Sequence, residues 1–353
     1  MMVNIFYTLF FCVLLVQGYV VKAKENDLQD LVRTQDILIT EPVYERLVYF
    51  SKACALCSCI RSNELFEGKT MKDGACPKRL KFCHDEEDNP TVGRTRIEMV
   101  LIADVGELGT GYVLVDHGRE VVVMVFRSSS TNEDWLSDFK VTPVSYTPVC
   151  QEGYMRKIEE GKLKKCENCK LHRGFNKFTK TLSKHFLEKM ERILLKYPDY
   201  RVVTTGHSLG AALAIISGIE LRLRGYEPLV LTYAPPRMFN REMSDWIDDL
   251  FETDSIHQNI LESGEVKFEH GYFRVVHNSD LIPMLPPMYE VAGLEIFINK
   301  LDLPHTRTDI QYVGPGEFKV DNQCFGRIEF LDEVLHTNEH RSYFINLTRC
   351  SGF

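Results

Sequence analysis

The sharpest chemical signal in the chain is Gly206-His207-Ser208-Leu209-Gly210. It follows a β-branched stretch, Arg201-Val-Val-Thr-Thr, and opens a run of small and apolar residues, AALAIISGIELRLRG. The five letters alone recur by chance, so the setting carries the weight. A strand that turns tightly into a helix lifts a serine hydroxyl to the helix N-terminus, where the dipole and the free N–H groups favour an oxyanion. Glycines on either side permit the turn and let neighbouring backbone come close. An ordinary strand–turn–helix with a capping serine would use the same letters without the chemistry.

A serine hydroxyl is a weak nucleophile until a base takes its proton, and the base needs an acid to orient it. In α/β-hydrolase order both lie downstream of the serine. Asp280, in VHNSDLIP, follows the strand pattern Tyr272-Phe-Arg-Val-Val-His at the end where catalytic loops cluster. Asp245, Asp248 and Asp249 belong to a helical, solvated-looking pattern and are poorer choices for the acid. The downstream histidines are His305, His336 and His340. His340 stands in Glu339-His-Arg-Ser-Tyr-Phe, beside an aromatic pair suited to anchoring its loop, and spacing alone leaves His336 open as well.

The elements that must position these residues alternate. Tyr112-Val-Leu-Val-Asp and Arg119-Glu-Val-Val-Val-Met-Val-Phe flank His117-Gly118 and predict a hairpin. The run Val121 to Phe126 is apolar throughout, as a strand buried on both faces should be. Phe178, Leu182, Phe186, Met190 and Ile193/Leu194 recur at helical spacing between Asn176 and Tyr197. A second helix runs from Ser208 to a Gly225 cap, and Leu229-Val-Leu-Thr-Tyr begins another strand. Strand and helix in alternation predict an α/β sheet, and no linker, repeat or low-complexity tract divides it.

Composition sets the compartment and the partners. The 353 residues are 44% hydrophobic and 26% charged, the profile of a globular chain. Lys plus Arg number 42 against 50 Asp plus Glu, a net charge of −8 that argues against a nucleic-acid partner. The apolar run Ile5 to Val16 reads as a signal peptide over residues 1–23, cleaved near Ala23, leaving 24–353 as one domain. The rival is an uncleaved signal anchor, because apolar residues continue from Val3 to Val21 and the n-region lacks Lys and Arg. Of 11 cysteines, Cys12 lies in the leader, and the remaining ten suit an exported protein with as many as five disulfides. Cys166 and Cys169 fit a structural disulfide better than a redox pair or half of a zinc site with His172. Asn346-Leu-Thr348 is a glycosylation sequon consistent with export.

Taken in order, these residues resemble the class 3 lipases, in particular the secreted triacylglycerol lipases of fungi and yeasts. The resemblance spans residues 40 to 353 and rests on VVMVFRSSSTNEDWLSDF, KLHRGF, YPDYRVVTTGHSLGAALA, TYAPPR, FRVVHNSDLIPMLPP and HRSYF before a C-terminal Cys. It implies an α/β-hydrolase fold, with a central mostly parallel sheet, helices on both faces and a helical lid. It also implies a triad of Ser208, Asp280 and His340, favouring His340 over His336. The implied oxyanion hole combines the Leu209 N–H with Ser129, in the loop after Val121–Phe126. The implied activity is hydrolysis of acylglycerol esters through an acyl-enzyme. No metal and no organic cofactor is expected. The expected protein is a monomer that touches lipid only peripherally, at a lipid–water interface. A phospholipase A1 or feruloyl-type esterase is the enzymatic alternative, and an inactive lipid-binding homologue the non-enzymatic one.

The lid of that family corresponds to Thr131–Phe139, where Trp135, Leu136 and Phe139 share one helical face. The bland reading is a fixed surface helix that packs its Trp on the core. The resemblance further suggests a disulfide from the Cys54/Cys57/Cys59 cluster to Cys350, with Cys57 or Cys59 as the donor, and local bridges Cys166–Cys169 and Cys76–Cys83. Cys150 and Cys324 find no evident partner. Three departures stand out: Ser128 replaces a usual glycine, TYAPPR replaces a glycine-containing TxGxPR and reads as a packing variant, and a histidine common after the PxxPP segment is missing. If position 128 requires positive φ, its serine is strained. The basic insert Lys157 to Arg173 reads as a solvated loop rather than a contact for anionic lipid.

Overall fold

The computed structural model describes residues 37–104, 107–128, 142–316, 338–347 and 350. The leader, Ser129, the lid residues Trp135, Leu136 and Phe139, Cys324 and His336 lie outside the described residues. Nine strands form one sheet: β1 (Lys69–Thr70), β2 (Thr95–Leu101), β3 (Gly111–Asp116), β4 (Val121–Phe126), β5 (Arg201–His207), β6 (Leu229–Tyr233), β7 (Gly271–His277), β8 (Leu294–Ile298) and β9 (Ile310–Pro315). They lie side by side in chain order. The pairings from β4 through β8 are parallel, and those at the two flanks are antiparallel.

The parallel centre follows from the crossover connections, which cover both faces and leave strands buried on each side. Along β4, Val121, Val123 and Val125 join one hydrophobic cluster while Val122, Met124 and Phe126 join the other. This is the period-2 alternation of a strand with two apolar faces. The first cluster includes α1 (Glu41–Leu56), and the second includes α2 (Glu188–Lys196), α3 (Leu209–Leu223) and α4 (Arg241–Leu250). A further helix, α5 (Thr253–Ser263), adds Ile256 and Ile260 to the first cluster. The predicted hairpin is present, and Asp116 Oδ1 closes it by accepting the N–H groups of Gly118 and Arg119 at 2.9 and 3.0 Å.

The helix predicted from Asn176 is helical from Arg173, with a π turn over Leu182–Leu187 before α2. Its buried residues include Phe178, Leu182, Phe186, Met190 and Leu194. All fifteen residues of α3 are buried, so this helix lies inside the molecule and needs no polar face. Gly225, with φ 98°, lets the chain leave its C-terminus. No described helix is long and apolar enough to cross a membrane.

The described cysteines pair less fully than the upper limit of five disulfides allows. The described residues hold three disulfides, Cys59–Cys350, Cys76–Cys83 and Cys166–Cys169, and three free cysteines, Cys54, Cys57 and Cys150. Cys59, not Cys57, reaches Cys350, because Cys57 points into the core with its Sγ on the Val125 carbonyl at 3.6 Å. Cys54 lies beside the Thr205 hydroxyl at 3.4 Å, and burial pushes its thiol up to about 12. Both behave as small apolar residues of the core.

Candidate active site

Ser208 stands at the junction of β5 and α3 with φ 56° and ψ −123°. A non-glycine residue there costs about 1–3 kcal/mol of backbone strain, which packing on all sides must hold. The two motif glycines supply that packing. A Cβ on Gly206 would run into the Gly210 carbonyl, and a Cβ on Gly210 would run into the Phe126 carbonyl at the end of β4. The Ser208 N–H donates to the Tyr233 carbonyl at 2.9 Å, which ties the turn to the end of β6. Leu209 then opens α3, and the first N–H groups of a helix have no partner within it. A hydroxyl placed here can attack a carbonyl carbon whose oxygen faces those N–H groups.

Asp280 is reached by a turn after β7, in which Ser279 has φ 64° and the Asp280 N–H donates to the His277 carbonyl at 3.0 Å. From a distant part of the chain, a short helix (Asn338–Arg341) brings in His340. Its Nδ1 lies 3.1 Å from Asp280 Oδ1 and 3.0 Å from Oδ2, and both residues are buried. Burial alone would raise the Asp280 carboxyl. The His340 imidazole, the Tyr343 hydroxyl at 2.6 Å and the Ile282 N–H at 3.0 Å outweigh it and hold its pKa below the ordinary value. Tyr343 is itself pushed well up by burial and by the Asp280 charge, so it stays a phenol that donates.

His207, the residue before Ser208, connects the two halves. Its ring centroid lies 4.6 Å from that of His340, and its Nε2 is 2.7 Å from the His340 carbonyl. Burial, then the neighbouring His340, lowers its pKa to about 3, so it is a neutral donor to that carbonyl. Tyr343 packs edge-on to His207 at 5.7 Å, and Ser51 of α1 donates to its carbonyl. Sequence reasoning singled out the aromatic pair at 343–344 as a loop anchor but did not foresee the Tyr343 hydroxyl on Asp280. It also missed Ser51 and the role of His207. No periodicity marks them, because their partners lie far along the chain.

The remaining candidates fall elsewhere. His305 is buried behind the loop of His340, with its Nδ1 accepting from the Phe344 N–H at 3.1 Å. Asp248 is not solvated as its helical pattern suggested. It accepts the Gly293 N–H at 2.7 Å and the Thr253 hydroxyl at 2.8 Å, both brought from outside α4. Ser128 is not among the described residues with positive φ, so the strain considered for it does not arise. The TYAPPR departure is more than packing: Ala234 has φ 49° and occupies the left-handed region that favours glycine. The Asp104–Glu107–His185 cluster could offer ligand atoms to a metal, but it includes none of Ser208, Asp280 and His340.

A sheet with a parallel centre, a strained serine between strand and central helix, and an Asp–His pair on later loops define an α/β-hydrolase. A family model described as Lipase (class 3) matches residues 123–290, from β4 past Asp280. "Putative lipase LIH1" of Saccharomyces cerevisiae is 52% identical over 321 residues, covering 90% of this chain and 98% of that protein. "Lipase A" of Sodiomyces alcalophilus is 29% identical over 72% of this chain and 62% of its own length. The crystal structure of Lip2 lipase from Yarrowia lipolytica superposes with a TM-score of 0.67 at 22% identity, over 89% of this chain and 97% of that one. The chain belongs to the class 3 lipase family, and its fold and family make it a lipid ester hydrolase.

Proposed function

We propose that this chain is a secreted acylglycerol lipase that works through a serine acyl-enzyme. The observation that carries the reading is Ser208, held in a strained conformation at the strand-to-helix turn, with the His207–His340 contact joining it to the buried Asp–His pair. His340 takes the Ser208 proton as the hydroxyl attacks an ester carbonyl, then returns it to the departing alcohol. Asp280 fixes the imidazole tautomer and stabilises the imidazolium. The Leu209 N–H and Ser129 hold the oxyanion, each worth about 3 kcal/mol of barrier. Water then releases the fatty acid, with His340 again as base.

We further propose that Trp135, Leu136 and Phe139 contact a lipid surface, and that the protein acts as a monomer in peripheral contact with lipid. Export is supported by the apolar leader, by three disulfides, and by the sequon at Asn346. The Gibberella zeae protein named "Secreted mono- and diacylglycerol lipase 2", 26% identical over 57% of this chain, supports acylglycerol as the substrate class. The test is fatty-acid release from emulsified long-chain triacylglycerol by the wild type and by Ser208→Ala, with a soluble short-chain ester in parallel. Release that vanishes in Ser208→Ala supports the reading. Activity on the soluble ester alone makes the protein an esterase, and silence on both from folded protein refutes catalysis.

A further inference from the structure

We propose that His277 and His305 are positioning residues: a pair of buried imidazoles, tilted 42° to each other, that holds by its main chain the segment presenting His340. The proposal rests on His340 being the base, as set out above. Segment 338–347 has little regular structure of its own, one short helix and two strands of two residues each. Its placement therefore comes from outside contacts. Asp280 holds one edge of the His340 ring, but a ring held at one edge can swing about that contact. Where its Nε2 points depends on where the backbone sits.

Three histidines from three elements grip that backbone. His207, at the end of β5, takes the His340 carbonyl. His277, the last residue of β7, places Nδ1 2.8 Å from the carbonyl of Glu339, the residue just before His340. Its Nε2 lies 2.8 Å from the Lys300 carbonyl in the loop after β8, which locks the His277 ring. His305, further along that loop, accepts the Phe344 N–H through Nδ1, and its ring centroid is 4.8 Å from that of His277. The Tyr44 hydroxyl of α1 donates to the His305 carbonyl at 2.8 Å, so the pair is anchored to the helix layer. His277 and His305 are 0% and 1% exposed. Burial, and then His277, lowers the His305 pKa to about 4, so the ring is neutral, and the Phe344 N–H on Nδ1 assigns its one proton to Nε2.

The side-chain geometry of asparagine and glutamine gives a specific test. His277→Asn keeps a donor where Nδ1 stood, on the Glu339 side. His277→Gln keeps one where Nε2 stood, on the Lys300 side, and His277→Phe keeps only the ring. The readouts are kcat and KM on a soluble short-chain ester and the low-field proton resonance of the His340–Asp280 hydrogen bond. A misaimed base costs about tenfold to a hundredfold, so kcat should fall that far in the Gln and Phe variants with KM little changed, while Asn retains most of it. The resonance should shift or broaden in Gln and Phe and stay in place in Asn. In the same way, His305→Asn should preserve activity that His305→Leu loses. Equal losses in Asn and Gln would overturn the proposal, as would an unmoved resonance in the Gln variant. The resonance exists whether or not the enzyme turns over, and Ser208→Ala should leave the Asp280–His340 bond intact. Failure of the lipase reading is thus distinguishable from failure of this one. If the Phe variant does not fold, the Asn and Gln pair decides.

Discussion

Tyr343→Phe removes a single oxygen from the middle of the site. That oxygen donates to Asp280 Oδ2 at 2.6 Å and accepts the His277 backbone N–H at 3.1 Å. A hydrogen bond to a charged group contributes about 1.5–3 kcal/mol, and a buried N–H left without an acceptor costs about 1–3 kcal/mol. The two effects share one oxygen and do not simply add. We expect a stability loss of about 3 kcal/mol, far above the roughly 0.5 kcal/mol of an ordinary surface change. The Asp280 carboxyl also loses one of the contacts that hold its pKa down, so that pKa should rise. Because a depressed carboxyl stabilises the fold above its unfolded pKa, the gap between wild type and variant should be full at neutral pH. It should narrow as pH falls through the carboxylate range. His340 keeps both Asp280 oxygens and Asp280 keeps the Ile282 N–H, so the catalytic loss should be about tenfold in kcat/KM, equivalent to about 1.4 kcal/mol. Urea unfolding across pH, with kcat/KM on a soluble ester, checks both. A variant as stable as the wild type would refute the role assigned to this hydroxyl. So would a catalytic loss as large as that of Ser208→Ala.

Ala234→Gly should raise the unfolding midpoint: relief of the left-handed alanine contributes about 1–2 kcal/mol, partly offset by the added freedom of glycine in the unfolded chain. A fall in the midpoint on a calorimetric scan would contradict this. Acid should destabilise the fold through His207 and His305, whose folded-state pKa values lie near about 3 and about 4 against an ordinary 6.5. The unfolded chain takes up these protons first, so stability should fall as pH drops from 6.5 towards 3, and His207→Asn should flatten that slope in pH-dependent unfolding. Cys59→Ser opens a bridge between residues 291 apart and should cost about 2–5 kcal/mol, more than opening the seven-residue separation of Cys76–Cys83. Equal unfolding shifts for the two would contradict the ranking.

How far the site was legible in the sequence depends on the reach of the interaction that made each part. The glycines at 206 and 210 announce a turn because the constraint is local, and the structure puts backbone where their side chains would go. The alternating cluster membership of Val121 to Phe126 follows from the two-residue period, which any strand with two buried faces must obey. Asp280 was legible as the first carboxylate beyond the strand Gly271–His277. His340 was less so, since a histidine near the end of a chain has no pattern to separate it from His336, and the ordered resemblance of motifs raised it. Tyr343, Ser51, His207 and His277 act through contacts between segments remote in sequence, the longest joining Ser51 to Tyr343 across 292 positions. Spacing carries no record of such pairs. Ala234 and Asp248 were misread for a related reason. A backbone angle and a carboxylate's partners are set by what packs nearby, which the preference of a residue type alone does not record. Cys54 and Cys57 show the same limit for counting: an even number suggests pairing, yet two thiols at the inner end of α1 meet strands rather than each other. The strained serine and its cradle of imidazoles are therefore products of the sheet. The parallel strands bring the ends of β5 and β7 to one side of the sheet, and the histidines there let a segment with little regular structure of its own place His340 beside Asp280.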